Sequence, residues 1–317
     1  MRALVIGADG FAGRWLVRHL VESGDVVTAA VGPRFRSPLD GPRRVEQVDV
    51  RDGGSVSRIV RELQPETVFN LAGVSNREER EDVDAAVGVS IIGSLNVLLA
   101  CAETPRPSRL VFVSTGYVYQ PSPDPLTEES ELGPDSIYAS AKLAAERMLA
   151  TLAPALGVEV VIARPFNHIG PGQSDSFLVP TVARKIAAVV LSGAPPVVSV
   201  ADRTMMRDYS DVRDVVAAYR VLADRGAQGQ AYNVASGTAV SVADLAHTMA
   251  AAIGLEVEVR SDDGHRRDGE PTVVAGDAGR IRSLGWQPRY SLPVTLDEVM
   301  RLTLARLSTQ GARLTAS

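Results

Sequence analysis

The sequence predicts an α/β fold with a doubly wound parallel sheet, in which helices cover both faces of the sheet. A short apolar run at residues 3–6 indicates a buried strand, and helical periodicity follows at 11–21. Three glycines, Gly7, Gly10 and Gly13, connect the two segments. Apolar strands and helical stretches then alternate through the first half of the chain, which is typical of parallel strands joined by crossover helices.

The remaining elements follow from the same two periodicities. In the first half, strands are predicted at 25–31, 45–48, 67–70, 109–115 and 159–163, and helices at 56–63, 83–101 and 136–156. In the second half, the pattern predicts a loop at 165–172, helices at 177–191, 212–223, 242–253 and 292–307, a strand at 195–200 that leads into 202–210, and a short strand at 231–234. We expect a first domain over residues 1–165, with returning segments near 205–235, and a smaller α/β lobe over 166–317 that binds the substrate.

Composition restricts the class of protein. Hydrophobic residues make up 45% and charged residues 22% of the 317 residues, as in an ordinary soluble globular protein. The net charge of −5 argues against a nucleic-acid partner, and no apolar run approaches the ~18 residues of a membrane span. The single cysteine, Cys101, lies in an apolar helical run and excludes a disulfide. The N-terminal apolar run is too short for a signal peptide, so we expect a cytoplasmic protein. No metal site is predicted from the sequence.

The glycine spacing predicts a dinucleotide-binding turn. Gly7 permits the tight turn, Gly10 lets the backbone approach a pyrophosphate, and Gly13 lets the helix pack on the strand. The helix that begins at Phe11 then directs free N–H groups at the phosphates. The first domain is therefore predicted to be a Rossmann domain. The alternative is a glycine-rich turn without a ligand.

The end of the second strand bears on the choice of cofactor. A carboxylate at this point binds the adenosine ribose and favours NAD. The sequence instead reads Gly32-Pro-Arg34-Phe-Arg36, and guanidinium groups suit a phosphate, so NADP(H) is favoured over NAD(H). The alternative is that Arg34 and Arg36 are solvated loop charges. The other cofactor contacts are expected at two strand ends, namely Asp49 and Val50 near the adenine, and Leu71, Ala72 and Gly73 near the phosphates and ribose.

A tyrosine and a lysine four residues apart indicate acid–base chemistry. In Tyr138-Ala-Ser-Ala-Lys142 the two side chains share one face of a predicted helix. A tyrosine with its ordinary pKa of about 10 is a poor acid or base at neutral pH, and a neighbouring ammonium lowers that pKa. Thr115, at the end of a neighbouring strand, can offer a hydroxyl to the same substrate oxygen. Together with the glycine turn, this set predicts a catalytic site.

These motifs resemble the extended short-chain dehydrogenase/reductases that act on nucleotide-sugars. The matching stretches cover the chain: Gly7-Ala-Asp-Gly10-Phe-Ala-Gly13, Ser114-Thr115-Gly-Tyr-Val-Tyr119, Tyr138-Ala-Ser-Ala-Lys142, Arg164-Pro-Phe-Asn167, Arg207-Asp-Tyr-Ser-Asp-Val212 and Tyr232-Asn-Val-Ala-Ser-Gly237. The stretch from Ala163 to Phe177 is most similar to the GDP-6-deoxy-4-keto-hexose reductases within this family.

The resemblance implies roles for individual residues. Thr115, Tyr138 and Lys142 form the catalytic set, and Tyr138 and Lys142 also contact the cofactor, as does Arg164. Asn167 contacts the sugar or its diphosphate, and Arg207 pairs with the diphosphate, which suits a guanidinium. The remaining implied substrate contacts are Gly116, Tyr117, Asn233, Arg267 and Glu270. The alternative for Arg207 and Arg267 is a surface role.

Two departures from the family limit the reaction. Dehydratases of the family carry Asp-Glu after the catalytic threonine, whereas this chain has Gly116-Tyr117, so dehydration is not expected. The family asparagine on the long helix is Ser90 here.

The resemblance therefore implies an NADPH-dependent reductase of the C4 ketone of a nucleotide-linked 4-keto-6-deoxyhexose, acting in deoxysugar biosynthesis. GDP and dTDP remain open as the nucleotide. The alternatives are an NAD-dependent 4-epimerase, which has no net cofactor consumption, and a non-catalytic nucleotide-sensing regulator. A homodimer is expected by resemblance alone.

Overall fold

The computed structural model describes residues 1–33, 35, 38–73, 83–262 and 273–315. Its first half is a parallel sheet whose strands are β1 (Arg2–Ile6), β2 (Val26–Val31), β3 (Arg44–Gln47), β4 (Thr67–Asn70), β5 (Arg109–Val113) and β6 (Val160–Pro165). The strand order is β10-β6-β5-β4-β1-β2-β3, and β10 (Ala231–Val234) returns from the second half to pair with β6. The predicted parallel α/β fold is confirmed.

Helices cover both faces of this sheet, because each strand is apolar on both sides. On one face, α1 (Phe11–Glu22) and α7 (Val212–Arg225) enclose a core that includes Leu16, Phe69 and Tyr219. On the other face lie α2 (Gly53–Leu63), α4 (Gly93–Ala102) and α5 (Ile137–Leu156), whose core includes Ile59, Leu98 and Leu149.

Side-chain caps determine where two of these helices begin. The carboxylate of Asp52 accepts hydrogen bonds from the backbone N–H of Gly54 and Ser55 at the start of α2. Ser136 accepts one from Ala139 at the start of α5, and α5 ends at Gly157, whose φ is +67°. The caps fix the first turn of α5, which carries Tyr138.

The helix predicted at 83–101 departs from regular α geometry. It consists of α3 (Val83–Val87), a π-helical turn (Gly88–Ile92) and α4. Ser90 is fully buried in the π turn, and its carbonyl accepts a hydrogen bond from Ser94 at 2.6 Å. A π turn of this kind is not visible in the hydrophobic period, because it shifts the helix by a single residue.

The second half forms a lobe with its own core. Its helices are α6 (Leu178–Ser192), α8 (Val242–Ala251) and α10 (Leu292–Thr315). One small sheet is formed by β7 (Asn167–Ile169), β9 (Met206–Asp211), β11 (Ala239–Ser241) and β13 (Val273–Val274). A second small sheet is formed by β8 (Val197–Val200) and β12 (Glu258–Ser261). A short α9 (Gly279–Ser283) precedes α10. The domain boundary near residue 165 stays a prediction.

One interpretation of this lobe was wrong. The segment 165–172 is not only a loop, since β7 pairs with β9 in parallel, with Asn167 opposite Tyr209. The strand predicted at 195–200 is observed as β8. The segment 202–210 that follows it becomes a strand only at Met206, because the Asp202 carboxylate binds the backbone N–H and hydroxyl of Thr204 and forms a turn.

Candidate active site

The glycine turn lies at the carboxyl edge of the large sheet. Gly7 adopts a φ of +79°, and the N–H groups of Gly7 and Ala8 both donate to the carbonyl of Ala30 in β2, at 3.0 and 3.1 Å. A Cβ on Gly13 would lie 2.1 Å from the Gly7 carbonyl oxygen, which only glycine avoids. Gly10 is the N-cap residue of α1, so no side chain caps the first N–H groups of this helix. This cradle of bare backbone at a helix N-terminus fits a pyrophosphate.

Phe11, the first residue of α1, stacks on a histidine from the second half of the chain. The rings of Phe11 and His168 lie 5.9 Å apart, between centroids, and are inclined by 2°. Burial lowers the pKa of His168, and its Nδ1 lies 3.3 Å from the Phe166 carbonyl oxygen. Sequence reasoning missed His168, because only the fold brings β7 to the glycine turn.

The end of β4 connects the glycine turn to the catalytic helix. A Cβ on Gly7 would lie 2.9 Å from the Ala72 nitrogen, and a Cβ on Gly73 would lie 3.2 Å from the Lys142 ammonium nitrogen. The predicted cofactor residues Leu71, Ala72 and Gly73 thus lie between the turn and Lys142, where only small groups fit.

Two backbone carbonyls at the carboxyl edge of the sheet fix the Lys142 ammonium. Its side chain is buried, and Nζ donates to the carbonyls of Ala72, at 3.1 Å, and Val113, at 2.9 Å. The ammonium also lies 5.1 Å from the centroid of the Phe112 ring. Tyr138 lies one turn earlier on α5 and is half-buried. The Lys142 ammonium therefore lies at the carboxyl ends of β4 and β5, the edge at which such sheets bind ligands.

Thr115 begins a 3₁₀ turn that carries predicted substrate residues. Its hydroxyl accepts a hydrogen bond from the Tyr117 N–H at 3.2 Å, and Thr115 is buried. A Cβ on Gly116 would lie 3.0 Å from the Phe166 ring, so Gly116 is required by packing. The Tyr117 hydroxyl donates to Oδ1 of Asn167 at 2.9 Å. Tyr117 and Asn167, 50 residues apart, are thus in contact.

Arg207 lies on the strand next to Asn167. The residue is 5% exposed, and its guanidinium donates from Nη1 to the Met206 carbonyl at 2.9 Å. Burial raises the pKa of Tyr209, and Tyr117 adds to this rise while Arg207 opposes it. Asn167 lies opposite Tyr209 in the pairing of β7 with β9, and Arg207 is two residues before Tyr209 on the same strand. The structure therefore gathers Tyr117, Asn167 and Arg207 on one side of the site.

Arg164 and Asn233 have internal partners instead. The Arg164 guanidinium binds Glu146 at 2.6 Å and the Tyr119 hydroxyl at 2.9 Å. Asn233 is fully buried, accepts a hydrogen bond from Tyr119 at 2.7 Å, and donates to the Leu126 carbonyl at 2.8 Å. The polar ends of both side chains thus have partners within the protein. The interpretation of Asn233 as a substrate contact and of Arg164 as a cofactor contact stays a prediction.

The predicted adenine residues follow β3. The carboxylate of Asp49 binds Arg51 at 2.7 Å, and this hydrogen bond lowers the pKa of Asp49. Val50 is buried, and its carbonyl accepts a hydrogen bond from Asn96 at 2.8 Å. Four predicted residues lie outside the described residues: Arg34, Arg36, Arg267 and Glu270.

Sequence reasoning also missed Asp9, which lies within the glycine motif itself. Its carboxylate accepts a hydrogen bond from the Gly32 N–H at 3.3 Å. The sequence shows a carboxylate within the motif. Its hydrogen-bond partner, the N–H of Gly32, becomes evident only when the fold places the end of β2 beside the turn.

The described residues contain neither a metal-binding cluster nor a membrane-spanning helix. Among them, no group of three or more His, Cys, Asp or Glu side chains is arranged to hold a metal ion. No helix in the part of the chain that the structure describes is long and apolar enough to cross a membrane.

A parallel sheet with this glycine turn, and with a tyrosine–lysine pair at its carboxyl edge, defines a nicotinamide-dependent oxidoreductase of the short-chain dehydrogenase/reductase type. Residues 3–235 match the NAD dependent epimerase/dehydratase family. The chain belongs to this family, and the predicted family membership and NAD(P)-dependent enzyme class are confirmed.

Relatives extend along the whole chain. GDP-6-deoxy-D-mannose reductase of Pseudomonas aeruginosa is 32% identical over 304 residues, which are 94% of this chain and 96% of that protein. The structure of RMD from Pseudomonas aeruginosa complexed with NADPH superposes with a TM-score of 0.84 at 30% identity, covering 96% of this chain and 99% of that one. UDP-glucose 4-epimerase of Thermus thermophilus in complex with NAD has a TM-score of 0.81 at 27% identity, covering 94% and 99%.

Proposed function

We propose that the protein is an NADPH-dependent reductase of the C4 ketone of a nucleotide-linked 4-keto-6-deoxyhexose. The 32% identity to GDP-6-deoxy-D-mannose reductase along nearly the full length supports a substrate of the GDP-4-keto-6-deoxymannose type. A dTDP-linked 4-keto-6-deoxyhexose is the second substrate that fits the same motifs. The NADPH complex of RMD supports the cofactor, as does the Arg34 and Arg36 sequence.

The observation that carries the proposal is that the Lys142 ammonium, one helical turn from Tyr138, lies beside Gly73 at the end of β4. The reduced nicotinamide, when bound, supplies the hydride that reduces C4. Tyr138 donates its phenolic proton to the carbonyl oxygen, and the Lys142 ammonium stabilises the phenolate that remains. Lys142 can hold this position because the Ala72 and Val113 carbonyls fix its nitrogen.

Thr115 and its neighbours orient the sugar. In this proposal the Thr115 hydroxyl polarises the ketone, and Tyr117, Asn167 and Arg207 bind the sugar and its diphosphate. The hydrogen bond between Tyr117 and Asn167 supports a shared role for these two side chains. Binding energy from the distant nucleotide then contributes orientation at C4. Gly116 and Tyr117 offer no carboxyl pair for moving protons on the sugar ring, which argues against dehydration.

A 4-epimerase is the second candidate, because UDP-glucose 4-epimerase of Thermus thermophilus shares the fold at 27% identity and binds NAD. An epimerase uses the same acid–base residues but regenerates its cofactor. The two reactions therefore differ in net cofactor consumption: the reductase oxidises one NADPH per sugar, and the epimerase consumes none.

The test measures absorbance at the nicotinamide band. NADPH and protein are mixed with GDP-4-keto-6-deoxymannose and, in a parallel sample, with dTDP-4-keto-6-deoxyglucose. One equivalent of NADPH lost per sugar with either substrate supports the reductase and identifies the nucleotide. Interconversion of a sugar without loss of NADPH would move the assignment to the epimerase.

We further propose a homodimer formed through neighbouring helices of the first domain. Large apolar side chains are exposed on the outer surface of this region: Val87 and Ile92 before α4, Leu99 on α4, and Ile137 and Leu152 on α5. Exposed apolar side chains on adjacent helices are typical of an interface between subunits. Ile92→Asp should reduce the mass measured by light scattering to that of the monomer, whereas Val190→Asp on α6 should leave it unchanged; equal masses for all three proteins contradict this interface.

A further inference from the structure

The carboxylate of Asp9 contacts Gly32, the first residue after β2. Its Oδ1 accepts the hydrogen bond from the Gly32 N–H, and a Cβ on Gly32 would lie 3.5 Å from Oδ2. Asp9 is half-buried, and Oδ2 has no hydrogen-bond partner among the described residues. An ionised carboxylate has about four acceptor sites, so this one retains capacity for further donors.

The end of β2 is where a dinucleotide-binding fold holds the adenosine ribose. A carboxylate about 20 residues beyond the glycines usually binds the 2′-hydroxyl there. In this chain the strand is followed by Gly32-Pro33, without an acidic side chain. The carboxylate reaches the same position from the glycine turn. We propose that Asp9 is a specificity-determining residue of the cofactor site, which binds the ribose 2′-hydroxyl of NAD(H) and disfavours the 2′-phosphate of NADP(H).

The chemistry of the two cofactors supports opposite effects of this one group. A ribose hydroxyl donates a hydrogen bond to a carboxylate. A phosphate monoester carries a charge of about −1.5 to −2 at neutral pH, and a like charge in a half-buried position repels it. The same carboxylate therefore strengthens the binding of one cofactor and weakens that of the other.

Arg14 is the opposing charge beside this strand end. Its Nε donates to the Asp9 carbonyl oxygen at 3.2 Å, and its guanidinium carbon lies 5.3 Å from the centroid of the Phe35 ring. The side chain is exposed. A guanidinium so placed favours a phosphate. Arg14 therefore acts in the same direction as Arg34 and Arg36, and Asp9 makes the preference for NADP(H) weaker than the arginines alone predict.

The test is cofactor binding to the full chain without sugar. NADPH and NADH are titrated separately against the wild type and Asp9→Asn, and Kd is read from nicotinamide fluorescence. Removal of the charge should tighten NADPH, weaken NADH, and lower the ratio of Kd for NADPH to Kd for NADH by about tenfold, or ~1.4 kcal/mol. Arg14→Gln should raise this ratio. Asp40→Asn, at an exposed carboxylate a few residues further on, should not change it.

Two results would overturn the inference. A ratio for Asp9→Asn within twofold of the wild type means that the carboxylate does not distinguish the cofactors. An equal loss of affinity for both means that Asp9 only fixes the turn. The inference rests on the dinucleotide cofactor site of the proposed function and not on the identity of the sugar substrate. A protein that binds both cofactors but reduces neither keto-sugar would contradict the proposed reductase and leave the Asp9 result interpretable.

Discussion

Replacing Glu146 with glutamine tests the buried ion pair that joins α5 to β6. The guanidinium of Arg164 contacts both carboxylate oxygens of Glu146, with Nη2 2.6 Å from Oε2 and Nε 3.1 Å from Oε1. The two side chains are only 7% and 3% exposed. Burial acts to lower the pKa of Arg164, but the hydrogen bonds and charge of Glu146 outweigh it and raise the pKa. A guanidinium is not deprotonated in proteins, so Arg164 keeps its charge when Glu146 loses its own.

The expected cost follows from that stranded charge. Removing one partner of a buried pair costs about 3–5 kcal/mol, and glutamine retains a hydrogen-bond acceptor, so we expect a value near ~3 kcal/mol. This is about a hundredfold in the ratio of folded to unfolded protein. Urea unfolding followed by circular dichroism measures the change.

Two further variants make the result specific. Glu22→Gln breaks an exposed pair, Arg18–Glu22, and should leave the urea midpoint unchanged. Glu146→Leu combined with Arg164→Met removes both charges and should be more stable than Glu146→Gln alone. A loss below ~1 kcal/mol for Glu146→Gln would refute the reasoning. The double variant also tests the predicted cofactor contact of Arg164: wild-type affinity for NADPH argues against that contact, and weakened binding supports it.

Three further predictions address the turn, the sugar site and pH. Gly13→Ala should abolish NADH binding in fluorescence titrations, because its Cβ would lie 2.1 Å from the Gly7 carbonyl; unchanged affinity would contradict the cradle. Tyr117→Phe loses the hydrogen bond to Asn167 and should raise KM up to about tenfold with little change in kcat, and an unchanged KM argues against the contact. His168 has a pKa below its usual 6.5 because of burial, so only the unfolded chain binds its proton as pH falls. The free energy of unfolding should therefore decrease from pH 7 to 5, and less steeply in His168→Gln; an equal slope in urea midpoints contradicts this.

The sequence alone predicted the parallel sheet and the glycine turn because both depend on short-range patterns. The spacing of Gly7, Gly10 and Gly13 and the four-residue spacing of Tyr138 and Lys142 place side chains without knowledge of distant segments. The edge at which they meet follows from strand direction alone.

Long-range partners could not be predicted in this way. Tyr119 and Asn233 are 114 residues apart, and only the pairing of β10 with β6 makes them neighbours, so the internal role of Asn233 had no local signal. The three-residue strand β7 was missed for a similar reason. Its residues, Asn167 to Ile169, lack a strand pattern and depend on pairing with β9.

The central claim is that Tyr138 supplies the proton for net reduction of a keto-sugar at this sheet edge. It is tested most directly by measuring NADPH oxidation by Tyr138→Phe with the preferred 4-keto-6-deoxy sugar, alongside its Kd for NADPH. The account predicts a loss of kcat of about a thousandfold with cofactor affinity unchanged, because only the proton donor is removed. Turnover at the wild-type rate would contradict it.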